Sequence, residues 1–130
     1  MSVDAMAYIG TLASRPDMFG QLAYAVAAPD IMDKPYFVYL REELEQQSTI
    51  QAGQQEESAV IRLTTFSHRF VDAAKKDFQM IELLRTIEPT FLQSYTPATD
   101  DYGPQNKIYM VTRLVTLKLI GLSHWLERNK

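Results

Sequence analysis

From Val60 to Ile87 the sequence VIRLTTFSHRFVDAAKKDFQMIELLRTI has no glycine or proline, and its apolar residues recur at steps of three and four. At about 100° per residue, Leu63, Phe66, Phe70, Ala74, Ile81 and Leu84 share one face of a helical wheel. Val60, Val71 and Phe78 widen that face. A strand of this length lies outside the usual range, so the spacing predicts one central helix, about 40 Å long if unbroken. Glu88-Pro89 ends it, because the residue before a proline is driven out of the helical region.

Read the same way, residues 3–13 form a short alanine-rich helix. Ser14-Arg15-Pro16-Asp17 starts a second, running to about Ala28 and burying Phe19, Leu22 and Val26. Asp33-Lys34-Pro35 opens a third, with Phe37, Leu40 and Leu44 on one face. Residues 45–58 are polar and glutamine-rich. They are read either as a hairpin with Gly53 at its tip or as the middle of one long helix from 35 to 87. An irregular loop follows from Glu88 to Pro104, in which Phe91, Tyr95 and Tyr102 are able to pack as a lid or stack on a ligand.

The last helix, about 105–128, is apolar on two sides. Ile108, Val111, Val115, Leu119, Leu122 and Leu126 make one stripe, while Met110, Leu114, Leu117 and Trp125 fall largely outside it. A strand reading of KIYMVTRLVTLKLI competes, because β-branched residues are frequent there. Helical spacing that continues through Leu126 favours the helix. The expected fold is therefore all-α: a single domain over residues 1–130, a bundle of about four to five helices with a long central helix and a two-sided C-terminal helix. A two-sided helix in so short a chain implies a homo-oligomer, with Met110, Leu114, Leu117, Gly121 and Trp125 at the interface.

Composition narrows the chemistry. The chain has no cysteine, which removes disulfides, thiol catalysis and cysteine-ligated metals and is compatible with a cytoplasmic protein. A net charge of −3 gives no global attraction to nucleic acid or an anionic membrane. The N-terminus lacks the basic leader of a secretory signal. No stretch reaches the roughly eighteen apolar residues of a membrane span. His68 and His124 stand alone, Asp100-Asp101 lack calcium-loop spacing, and the glycines are scattered. No metal or cofactor is expected. Ser67 and His68 are neighbours on the predicted helix and point in different directions, so they do not form a nucleophile–base pair.

Arg62 and His68 give an arginine, five residues and a histidine, which resembles the motif of HEPN-type ribonucleases. That resemblance implies a small helical RNase whose dimer joins two such motifs. It covers two residues, Leu63 follows the arginine where the family usually has a polar residue, and the motif sits mid-chain rather than on a late helix. We do not assign the chain to that family.

Arg62, Arg69 and Lys76 recur every seven residues on the central helix, with His68 and Lys75 on a neighbouring line and Asp72 interrupting them. The stripe is read either as a solvated flank covering the edge of the core or as a track for phosphates. With Lys107, Arg113 and the rings of Tyr95, Tyr102 and Tyr109, the second reading describes a single-stranded DNA or RNA binder. Asp77 and Arg85 fall inside the apolar sector and require partners. Arg113 is one candidate partner for Asp77, and a structural ion pair across helices is favoured over a catalytic acid. The leading expectation is a non-enzymatic helical interaction or regulatory protein acting as a homo-oligomer. A nucleic-acid binder comes second and a HEPN-like ribonuclease third.

Overall fold

The computed structural model describes residues 5–28, 34–42, 50–51, 54–55, 57–87 and 91–119. It overturns the all-α expectation. The chain forms α1 (Ala5–Ala13), a single 3-10 turn (Gly20–Leu22), β1 (Ala23–Ala25) and β2 (Tyr36–Arg41). A two-stranded hairpin of β3 (Ile50–Gln51) and β4 (Gln54–Gln55) leads to β5 (Glu57–Ser67). Then come α2 (Phe70–Ile87), β6 (Leu92–Tyr95), β7 (Thr99–Gly103) and β8 (Ile108–Leu119). The main sheet has the order β1-β2-β5-β8-β6, with β7 also paired to β8. β1 is parallel to β2, and every other pairing in this sheet is antiparallel.

The predicted central helix is thus a strand followed by a helix. Along β5 the burial alternates: Ala59, Ile61, Leu63, Thr65 and Ser67 are buried, while Val60, Thr64 and Phe66 are half-buried and Arg62 is exposed. Period two is the signature of a strand with two different faces. Ser67 turns the chain. Its hydroxyl accepts the Arg69 backbone N–H at 3.2 Å, freeing α2 to begin at Phe70. At the far end α2 is described to Ile87, and the expected stop at Glu88-Pro89 lies outside the described residues.

The C-terminal helix is also corrected. Residues 108–119 are β8, paired along its length with β5 from Glu57↔Leu119 to Ser67↔Tyr109. Its two apolar sides are the two faces of a sheet. Val111, Val115 and Leu117 are buried with Ile61 and Leu63 of β5. Met110 and Leu114 point to the opposite face, opposite Phe66 and Arg62.

Both helices cover one face of the sheet. Tyr8, Ile9 and Leu12 of α1 and Met80, Ile81 and Leu84 of α2 join Phe37, Ile61, Leu63, Val115 and Leu117 in the core. Gly10 lets α1 come close to β2, because a Cβ there would lie 2.5 Å from the Tyr39 hydroxyl. The other face carries Tyr36 stacked on Phe66, ring centroids 4.7 Å apart, with half-buried Val38, Leu40, Val60, Met110 and Leu114 around them.

The first helix matches expectation over residues 5–13. The second does not form. Ser14 and Arg15 close α1, donating to the carbonyls of Gly10 and Leu12, and Gly20 takes φ +57. The segment expected as the third helix is β2, so Phe37 packs in the core and Leu40 on the opposite face. The loop expected from 88 to 104 contains β6 and β7, with Phe91 buried edge-on against Tyr8 at 5.2 Å. In place of the helical hairpin or long helix expected over 45–58, β3 and β4 pair antiparallel. Leu44, Gly53, Gly121, Leu122, His124, Trp125 and Leu126 lie outside the described residues.

Candidate interaction surface

The basic stripe does not exist as a stripe. Arg62 sits on β5, Arg69 precedes α2, and Lys76 lies within it. Arg62 pairs with Glu42. Arg69 lies 3.9 Å from Asp72. The Lys76 ammonium donates to the Met18 carbonyl at 2.8 Å and sits 5.7 Å from the Phe19 ring centre. Lys75 and Lys107 are exposed. Lys107 adopts φ +52 in the turn before β8, and its carbonyl accepts from His68 Nδ1 at 3.0 Å. Arg62 and His68 are six residues apart along extended chain, roughly 20 Å, rather than on one helical face. Among the described residues no group of three or more His, Cys, Asp or Glu side chains could hold a metal ion. No helix among them is long and apolar enough to cross a membrane.

The ion pair expected between Asp77 and Arg113 is present, joining helix to strand rather than helix to helix. Arg113 Nε donates to Asp77 Oδ2 at 2.7 Å, and the side chains are only 15% and 5% exposed. Burial pushes the Asp77 carboxyl above its ordinary range. The Arg113 hydrogen bond and charge oppose that shift, while Asp100 adds to it. Arg113 also donates to the Thr96 carbonyl at 3.3 Å and lies 5.8 Å from the Tyr95 ring centre. It therefore fixes the β6–β7 connection to the underside of α2. Arg85, the other charge in the apolar sector, reaches solvent and pairs with Glu82 at 2.7 Å.

This pair orients α2. With Asp77 taken as the direction of the sheet, Lys76 lies about 100° to one side, towards α1. Phe78 lies about 100° to the other side, with Val71 at about 120° and Phe70 at about 20°. Phe70 meets Tyr109 at 5.8 Å, and Tyr109 meets Tyr102 of β7 at 4.6 Å. The N-terminal half of this α2 flank, above the β6–β7 edge, is therefore apolar and open, while Glu82 and Arg85 continue the same flank towards the C-terminal end. Phe78 is 59% exposed and Val71 67%, and Phe70, with Tyr95 and Tyr102 of the strands along this edge, is exposed as well. Of the six exposed large hydrophobic residues among those described, five belong to this ledge, and Val26 is the sixth. Soluble surfaces rarely gather such side chains without a partner.

The residues expected at an oligomer interface separate. Leu117 is fully buried in the monomer core, and Met110 and Leu114 belong to the sheet face away from the helices. Tyr102 and Tyr109 meet at one end of the β6–β7 edge, while Tyr95 sits beside Arg113 six residues further along β8, so the three tyrosines line the edge without forming one cluster. The helical wheel places Phe70, Val71 and Phe78 on the core face, whereas all three are exposed. What could have found them is the true start of the helix: with α2 beginning at Phe70, the inward positions are Ala73, Asp77, Met80, Ile81 and Leu84.

No family model matches the chain. No curated protein sequence matches it either. Among solved structures, a chain from the virion of a native gene transfer agent (GTA) particle has a similar fold, with a TM-score of 0.56 at 10% sequence identity. The likeness covers 92% of this chain and 87% of that one.

Proposed function

We propose that this protein is a non-enzymatic structural subunit that works as a homo-oligomer within a larger, virus-like particle. The observation that carries the reading is the exposed ledge of Phe70, Val71, Phe78, Tyr95 and Tyr102, which a second protein surface would remove from water. The fold likeness to a virion chain supports the choice of a particle as the setting. The cysteine-free sequence suits a reducing cytoplasm, and we place the protein there. The regulatory role gives way to a structural one, because no feature among the described residues points to a small-molecule signal.

Light scattering coupled to size exclusion tests the reading, with negative-stain microscopy of the eluted species. The wild type is expected to elute as a multimer and Phe78→Glu as a folded monomer. A wild type that stays monomeric at tens of micromolar, or a Val71→Glu/Phe78→Glu variant that assembles as well as wild type, rejects it.

A further inference from the structure

We infer that copies of this chain meet head to tail, the α2–β7 ledge of one receiving the β1 edge and Val26 of the next. This rests on the self-association proposed above and specifies its geometry. The sheet has two outer edges: β1 on one side and the β6–β7 pair on the other. Among the described residues neither is covered. An open edge offers unpaired backbone groups, and proteins blunt it or use it.

Val26 marks the β1 edge as one that is used. It follows β1 directly, with φ +72. The Ala27 N–H reaches back to the Ala25 carbonyl at 2.8 Å, so Val26 is the central residue of a three-residue turn. A positive central φ makes this the rarer, strained form of that turn, and a β-branched residue tolerates it worst. The conformation is anchored, since the Val26 N–H donates to the Tyr39 carbonyl at 2.9 Å. The side chain held there gains little burial within the monomer: it is 61% exposed. A strained backbone that presents an apolar side chain to water is explained by what that side chain meets in an assembly.

Charge decides between the two ways of pairing the ledge. A two-fold contact would lay β7 against its own copy, bringing Asp100 and Asp101 of both strands together. Both residues are exposed, and like charges across paired strands repel. β1 is Ala-Tyr-Ala and carries no charge, so it avoids that conflict. Its two alanines, Ala23 and Ala25, also permit close approach on either side of Tyr24. Val26 then supplies the apolar group that the aromatic ledge lacks a partner for. A head-to-tail contact either closes into a ring or extends into a filament, and both are particle-building geometries.

A mixing experiment on the full chain tests this. Phe78→Glu spoils the ledge and leaves the β1 edge intact, while Val26→Asp does the reverse. Aspartate tolerates left-handed φ, so Val26→Asp keeps the turn. Circular dichroism and melting curves matching wild type establish that both variants fold. Each alone is expected to run as a monomer, and an equimolar mixture as a one-to-one dimer and nothing larger, because only one competent contact can form. If Val26→Asp assembles like wild type while Phe78→Glu is monomeric, the head-to-tail geometry is wrong and self-association through the ledge survives. If both are monomeric and the mixture stays monomeric, the pairing of these two surfaces is wrong. A monomeric wild type removes both this inference and the reading beneath it.

Discussion

Replacing Arg113 by methionine tests how α2 is held to the sheet. The substitution keeps an unbranched stem of similar length and removes the guanidinium that donates to Asp77 at 2.7 Å. Asp77 then remains 4% exposed with its main cation gone. Removing one partner of a buried ion pair typically costs about 3–5 kcal/mol, a large part of the roughly 5–15 kcal/mol that stabilises a domain. The loss carries a pH signature. Burial already raises the Asp77 carboxyl, and Arg113 supplies both of the influences that lower it. Without Arg113 only burial and Asp100 act, so the carboxyl rises further. An acid whose folded pKa lies above its unfolded value contributes stability that is fully present below the unfolded value and lost as pH rises through the folded one. The gap between wild type and Arg113→Met is therefore widest at neutral pH and narrows on acidification, as Asp77 takes up a proton and stops needing a cation. Urea unfolding of both proteins at about pH 7 and about pH 5 measures it. A loss below about 1 kcal/mol, or one of equal size at both pH values, refutes this account. The double variant Asp77→Leu/Arg113→Met removes both charges and is expected to recover most of the stability.

Leu117→Ala is expected to cost about 2–5 kcal/mol in the same urea assay, because Leu117 of β8 is fully buried in the core. Met110→Ala, on the half-buried opposite face, should cost clearly less. Lys76→Met removes a charged donor from the Met18 carbonyl and is expected to lower stability by about 1–2 kcal/mol, without the pH dependence of the Asp77 variants. Val26→Gly relieves the left-handed strain and should leave the monomer as stable as wild type or up to about 1 kcal/mol more so, read as thermal melting. Charge reversal at Arg62, Arg69 and Lys76 together is expected to leave retention of a labelled single-stranded oligonucleotide unchanged in a low-salt gel shift. A marked drop would show that cations on three separate elements act as one track.

The partner of Asp77 was legible because its logic does not depend on secondary structure. A carboxylate among apolar positions needs a cation, and Arg113 stands among apolar positions of its own. The same chemistry holds whether the arginine rides on a helix or on β8. What failed was period. Residues four apart lie close to one face of a helix and also on one face of a strand. Val111 and Val115 therefore satisfy both readings, and the contrast must come from the residues between them. In β8 the intervening position on that face is Arg113, whose charge is hidden by Asp77 and so breaks the visible alternation.

β5 is harder still, because it is the central strand and neither of its faces is polar throughout. Ile61 and Leu63 face the helices while Val60 and Phe66 face the other way, and that mixture mimics the three-four steps of a helix. The cue with physical content was side-chain branching. Val60, Ile61, Thr64 and Thr65 crowd a helix and suit a pleated sheet, and the run ends at Ser67, whose hydroxyl takes up a backbone N–H. With no glycine or proline at the switch, a local hydrogen bond changes strand into helix, and an unbroken wheel conceals it. Moving the start of α2 to Phe70 has a consequence for function as well as fold. It rotates Val71 and Phe78 out of the core and onto the surface, where an assembly contact becomes the physical reason for them to be apolar.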